Sequence, residues 1–324
     1  MTNLHLLQVK NEVKFDATRN GFGRGLVKAG EQNEHVVALC ADLTGSIKMD
    51  GFQKAFPERF IEIGIAEQNL ATVGAGLALA GKVPFVASYA AFSPGRNWEQ
   101  IKTTACLNEV PVKVVGGHAG LYTGPDGATH QMLEDIALMR VMPGMVVLCP
   151  CDAVEAEKMV LAMAADPRPN YIRLSREATP VITSLQTPFE IGKAYVFSPG
   201  KDVTILATGM MTVPALEAAE KLYKEGIDAE VVHVPTIKPL DTVTILKSVR
   251  KTRCVVTVEE AQIIGGLGGA IAELTAENYP VPLKRIGMQD CYGESGTPEE
   301  LLKHFGLDAN HIRLAAHHVI ELKK

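Results

Sequence analysis

A two-domain α/β chain, each domain a mainly parallel sheet flanked by helices, is predicted by three features of this 324-residue sequence. Short β-branched runs alternate with stretches of helical spacing, most of the runs are too apolar to leave one face wet, and the alternation lapses once before resuming. Length permits two cores of ordinary size.

In chain order, "HVVALCADL", "FIEIGI", "VPFVASY", "VPVKVVGG", "MVVLCPC" and "NYIRLS" read as strands. Between them "NWEQIKTTACLN", "HQMLEDIALMRV" and "AVEAEKMVLAMAAD" carry apolar residues at helical spacing. The lapse falls in "SREATPVITSLQTPFEIGKAYVFSPGKD", where Thr, Ser, Pro and Gly collect, so domains are expected over residues 1–187 and 188–324. Beyond it come "VTILATG", a helix through "VPALEAAEKLYKEG", "DAEVVHV", a helix near "LDTVTILKSVRKT", "CVVTVEE" and a helix after "IIGGLGGA". "YGESGTPEELLKHFGL" reads as a capped terminal helix with Thr297 at the N-cap, Pro298 at N1 and Glu300 at N3. "GFGRG" (21–25) and "GGLGGA" (265–270) lack dinucleotide or P-loop spacing and read as tight turns before helices.

Composition narrows function. Hydrophobic residues are 47% and charged residues 21%, as in globular proteins, and a net charge of −5 argues against nonspecific nucleic-acid binding. No stretch of about 18 apolar residues and no basic-then-apolar leader in residues 1–20 points to a membrane, so a cytoplasmic protein is expected. Six cysteines show no CxxC pair and no partnered His, so they read as core thiols rather than metal ligands or disulfides.

One stretch resists a purely structural reading. "FIEIGIAEQNLATVGAGLALAG" places Glu67 where a buried strand gives way to a helix otherwise nearly free of charge, with Leu70, Val73 and Leu77 on one face and Gly81 closing it. Glu67 either complements the helix dipole, worth about 0.3–1 kcal/mol, or serves a ligand at the strand ends, where open α/β sheets bind them. Its neighbourhood favours the ligand. The next strand ends in "SYAAFSPGRNW", with Tyr89 and Phe92 three apart; the following one leads into "GGHAGLYTGPDGATHQ", with His118, Asp126 and His130 in a glycine-rich frame; the last ends in "LSRE", with Arg176.

"GIAEQN" with "DGATHQ" and an upstream "ATR…ADLTGS" resembles the pyrimidine-binding and C-terminal domains of transketolase, over essentially the whole chain. "GIAEQ" alone also occurs in deoxyxylulose-phosphate synthase and in keto-acid dehydrogenase beta subunits; all of these use thiamine diphosphate. The resemblance implies that Glu67 is the carboxyl sharing a proton with the cofactor's pyrimidine nitrogen. It further implies that Phe92 and Tyr89 form the pyrimidine pocket, Phe92 being the stacking ring, and that Asp42 lies near the thiazolium. Arg19, Ser46, His118 and Arg176 would hold a sugar phosphate, and Asp126 and His130 would contact its hydroxyls or the reacting carbons. Catalytic roles thus fall to Glu67, His118 and His130. The spacings Arg19 to Ser46 and His118 to Asp126 agree with the family pattern. His233, Glu259, Glu260 and "QDCYGESGTPEEL" are expected to be structural.

The GDG…N segment with which transketolases bind diphosphate and metal does not occur here. The expectation is therefore half a site: the C-terminal subunit of a split transketolase, in a heterotetramer with an N-terminal subunit that holds the GDG…N segment and magnesium or calcium. Its reaction would move a two-carbon ketol unit from a ketose phosphate to an aldose phosphate in pentose phosphate metabolism. The alternatives are a subunit of another thiamine diphosphate enzyme, which the phosphate-binding set argues against for keto-acid dehydrogenases, or a noncatalytic regulatory relative.

Overall fold

The structure is a computed structural model and describes residues 13–323. The N-terminal stretch read as lacking a leader lies largely outside these residues.

The first sheet takes β2 (Val36–Cys40), β3 (Phe60–Glu62), β4 (Val83–Tyr89), β5 (Lys113–Gly117), β6 (Val146–Leu148) and β7 (Asn170–Arg173), after a short β1 (Phe15–Asp16). These six strands run parallel in the order β6-β7-β5-β4-β2-β3. Alternation along each strand feeds two cores. Val37 and Leu39 of β2 face one with Val86, Val114 and Tyr171, whereas Val36 and Ala38 face the other with Phe85, Val115 and Ile172. Helices α1 (Thr18–Gln32), α2 (Asp50–Ala55) and α6 (Ala153–Ala165) cover the second face; α3 (Glu67–Leu79), the short α4 (Trp98–Gln100) and α5 (Asp135–Arg140) cover the first.

The predicted linker contains two strands. In it β8 (Thr179–Pro180) pairs with β1, and β9 (Tyr195–Ser198) forms the antiparallel edge of a second sheet. That sheet runs β14-β13-β10-β11-β9, with β10 (Val203–Ala207), β11 (Ala229–His233), β13 (Val255–Gln262) and β14 (Leu283–Met288) parallel. Helices α7 (Thr212–Lys224), α8 (Thr242–Thr252), α9 (Leu267–Asn278), α10 (Pro298–His304) and α11 (Ala309–Leu322) complete it. Between β11 and α8, β12 (Thr236–Lys238) crosses over and adds a seventh, antiparallel strand to the first sheet beside β6.

Several expectations need correction. "GFGRG" is not a turn but lies inside α1. Its glycines let α1 approach α6: a Cβ on Gly21 would sit 1.9 Å from the Ala153 carbonyl oxygen, and one on Gly25 2.9 Å from that of Glu157. On α3 the buried face is Glu67, Leu70, Ala71, Gly74, Ala75 and Ala78; Val73 is exposed, because small residues let the helix lie close on β4. "NWEQIKTTACLN" widens into a π-helix over Ile101–Cys106. Thr297 does form the capping box with Glu300, but α10 is not terminal, since α11 follows it. Cys291 is exposed, unlike the other five cysteines. Of "GGLGGA" only Gly265 (φ +77°) and Gly266, the N-cap of α9, make the turn as read; Leu267 to Ala270 already lie inside the helix.

Candidate functional site

The carboxyl ends of β3, β4, β5 and β7 bring most of the singled-out residues together. Glu67 opens α3 and is 2% exposed. An acid there gains from the helix dipole, but burial would make it costly without partners. Two groups from the end of β4 and the loop after it supply them, and a third holds the main chain of Glu67. Arg96 Nη1 lies 2.6 Å from Oε2, the Ser88 hydroxyl donates to Oε1 at 3.4 Å, and the buried Asn97 amide donates to the Glu67 carbonyl at 2.8 Å. Asn97 also donates to the Ser93 hydroxyl at 3.2 Å, pinning the loop to the helix start.

Beside this carboxylate stands an aromatic wall. Tyr89 and Phe92 stack with centroids 6.0 Å apart, Tyr89 stacks on His118 at 3.8 Å, and His130 meets Phe92 edge-on at 5.5 Å. His130 Nδ1 is 2.9 Å from the Thr129 hydroxyl.

The third component is cationic. Arg19, from the first turn of α1, donates to the Ser46 carbonyl at 2.8 Å and lies 3.5 Å from His118 Nε2. Arg176 donates to the Thr123 carbonyl at 3.0 Å and to Asp126 at 3.2 Å, and the Thr123 hydroxyl donates to the His118 carbonyl at 2.5 Å. His118 is buried with φ +53°. Burial first, then the charges of Arg19 and Arg176 and the nearby His130, push its pKa down to about 3, so it is neutral at neutral pH. With Nε2 turned toward the Arg19 donor, the ring proton belongs on Nδ1, which is buried and has no partner among the described residues. Arg19 Nε is likewise buried without an acceptor among the described residues. Two donors thus remain for a ligand.

Glu67, Tyr89, Phe92, His118, His130, Arg19, Arg176 and Asp126 are therefore linked by contact, while Ser46 joins through its carbonyl rather than its hydroxyl. Asp42 is exposed at the end of β2 with φ +57°, and its backbone N–H is held by Glu62 at 2.8 Å. Sequence reasoning missed Arg96, Ser88, Asn97 and Thr123. Arg96 stands four residues after Phe92 in the segment already singled out, and that proximity was the available signal.

Glu260 and His233 take the structural roles expected of them. Arg173, at the end of β7, meets Asp135 at 2.9 Å and Glu260 at 3.2 Å, all three buried. Gly120 (φ +73°) passes so close that a Cβ there would lie 2.5 Å from both Arg173 and Glu260. His233 of β11 meets Glu155 of α6 at 2.9 Å with Cys151, from the loop after β6, alongside, all three buried. Glu259 accepts the Leu267 and Gly268 N–H groups at the start of α9, both at 2.7 Å.

A parallel sheet whose strand ends carry a buried acid, an aromatic wall and a cationic rim, followed by a second α/β unit, defines a two-domain α/β protein with its candidate ligand site at the carboxyl ends of the strands. Comparison with known proteins gives the family: residues 16–181 match the transketolase pyrimidine binding domain and residues 192–312 the transketolase C-terminal domain. The chain belongs to the transketolase family, whose members are transferases. It is 44% identical over 307 residues to a protein of Methanocaldococcus jannaschii described as a transketolase C-terminal section, covering 94% of this chain and 96% of that one. It is 43% identical over 298 residues to a 6-deoxy-6-sulfo-D-fructose transketolase subunit of a Clostridium species, covering 92% of each. A solved split gene transketolase, described as an inactive beta4 tetramer, superposes with a TM-score of 0.89 at 46% identity, covering 95% of this chain and 99% of that one.

Proposed function

We propose that the chain is the C-terminal, pyrimidine-binding subunit of a thiamine diphosphate dependent transketolase, moving a two-carbon ketol unit from a ketose phosphate to an aldose phosphate. The observation that carries this is the buried Glu67 carboxylate set against the Phe92 and Tyr89 wall, with a neutral His118 between Arg19 and Arg176. An aminopyrimidine needs one acidic partner and one flat apolar wall, and both are present, so the residues fit the group. When bound, thiamine diphosphate supplies the electron sink for breaking and forming the carbon–carbon bond.

The chain's own residues bind, orient and manage protons. Glu67 holds a proton against the pyrimidine nitrogen, and Phe92 and Tyr89 fix the plane in which that nitrogen lies. Arg19 and Arg176 grip the terminal phosphate, assisted by Ser46 and by the proton on His118 Nδ1. His130 and Asp126 orient the sugar hydroxyls and the reacting carbons, and Asp42 faces the thiazolium side. The site is completed by an N-terminal subunit carrying the GDG…N segment and a magnesium or calcium ion, in a cytoplasmic heterotetramer serving pentose phosphate metabolism. A solved relative called a split gene transketolase, inactive as a beta4 tetramer, supports dependence on such a partner.

The test assembles the chain with that partner. Ketol transfer should require both subunits, and Glu67→Gln should slow hydrogen–deuterium exchange at the cofactor's C2 by orders of magnitude while the thermal midpoint barely moves. Robust transfer by the chain alone would refute the shared site; unchanged exchange would reduce Glu67 to a helix-dipole residue.

A further inference from the structure

One side chain makes both of the contacts that the site reserves for a planar ring. Arg96 Nη1 is 2.6 Å from Glu67 Oε2, and its guanidinium carbon lies 4.7 Å from the centre of the Phe92 ring. A guanidinium is flat, carries N–H donors in its plane and stacks on aromatic faces. It therefore resembles a protonated aminopyrimidine in shape, charge and hydrogen bonding. A flat cationic ring seated between Glu67 and Phe92 would compete with Arg96 for the Oε2 lone pairs and for the ring face that Arg96 covers.

We propose that Arg96 is a placeholder in the pyrimidine seat: it takes up the Glu67 carboxylate oxygen and the Phe92 ring, and the cofactor's ring must displace it to bind. This rests on the reading of Glu67 and Phe92 as that seat. The surroundings suit a withdrawing side chain. Arg96 remains 49% exposed, whereas Glu67 is 2% exposed, so the mobile partner is the arginine and the fixed one is the acid. The backbone at the base of the arm is anchored by the buried Asn97, which holds the Glu67 carbonyl and Ser93. Vacating the seat thus needs rotation of a flexible side chain into water and no movement of the loop or of α3. Until then the arginine keeps the buried acid paired, which avoids the cost of leaving a charge alone in the interior. Arg96 is in this sense a positioning residue that sets how tightly the ring is held.

The experiment titrates the full chain with 4-amino-5-hydroxymethyl-2-methylpyrimidine, the ring without thiazolium or diphosphate, using ligand-observed NMR. Wild type is compared with Arg96→Ala, Arg96→Lys, Glu67→Gln and Phe92→Ala, each checked for folding by circular dichroism. A placeholder predicts that Arg96→Ala binds the ring about three- to tenfold more tightly than wild type, the modest size reflecting an ion pair half in water. Arg96→Lys falls between them, because an ammonium pairs with Glu67 but does not stack as a plane; it also serves if the alanine variant does not fold. Equal or weaker binding by Arg96→Ala, or no saturable binding by it at all, overturns the proposal. If the ring binds but neither Glu67→Gln nor Phe92→Ala weakens it, the seat itself is misassigned, a failure distinct from that of the placeholder.

Discussion

Replacing Arg173 by Met removes the cation that bridges Asp135 and Glu260, and the cost follows from the geometry. Arg173 donates to Asp135 at 2.9 Å, to the Glu260 carboxylate at 3.2 Å and to the Glu260 carbonyl at 2.7 Å. Tyr171 adds a hydrogen bond to Asp135 at 2.7 Å, and the Tyr122 N–H one to Glu260 at 2.7 Å. All of the charged groups are buried, so the variant leaves two carboxylates with neutral donors only. Removing one partner of a buried ion pair costs about 3–5 kcal/mol. With a urea slope near ~3 kcal/mol per molar, the midpoint should fall by about 1–1.7 M. Fluorescence of Trp98, the only tryptophan, follows the unfolding. The loss should also depend on pH. Burial already holds the Glu260 carboxyl above its ordinary range, with Arg173 opposing; removing Arg173 raises it further. The folded variant then binds protons that the unfolded chain has released, so its deficit grows as pH rises above the ordinary carboxylate range. Adding Asp135→Asn and Glu260→Gln should recover much of the loss, since the hydrogen bonds survive without the charge. A shift under about 1 kcal/mol, or one independent of pH, would mean that the cluster is not held by charge.

Two further outcomes concern the site. Arg176→Ala should lower kcat/KM for a ketose phosphate roughly ten- to a hundredfold, as expected for losing a charge-assisted contact, and leave hydroxypyruvate nearly untouched. Because Arg176 also holds the Thr123 carbonyl, an equal loss for both donors would assign it to supporting the loop beneath His118. His118, held down to about 3, stays neutral in the folded chain while the unfolded chain takes up a proton below about pH 6.5. Stability should therefore fall as pH drops through that window, by about 1.4 kcal/mol per unit, or ~2 kcal/mol between pH 6.5 and 5. His118→Asn, which tolerates the positive φ, should flatten that slope in urea midpoints measured across pH; an unchanged slope would show that another group carries it.

The strands were legible because a doubly covered parallel sheet demands apolar runs: "VVALC" is wholly apolar, and the one charge in "KVVGG", Lys113, is itself buried. The capping box at Thr297 was legible because its chemistry is local. What escaped depends on distant partners. Glycines 21 and 25 are needed only because α6 arrives from more than a hundred residues away, and in the sequence they look like those of a turn. Val73 shows the same limit on α3: apolar spacing allows two faces, and the tight approach of β4 selects the one with Gly74 and Ala78. At the site, the strand-end residues were found because sheet order places ligands there. Arg96 was not, because its meaning comes from its reach to Glu67, which no local pattern encodes.

The crossover of β12 has a consequence for how the molecule can be divided. Thr236–Lys238 closes the flank of the site-bearing sheet by pairing with β6, and it arrives from beyond the apparent linker. A fragment ending near residue 187 would carry the strand ends of the candidate site but leave the outer edge of β6 unpaired and Glu155 without His233. Such an open edge invites pairing with another chain. The second α/β unit thus acts on the first as a selvedge does on cloth, a finished border woven from the fabric's own thread that keeps the rest from unravelling into its neighbours.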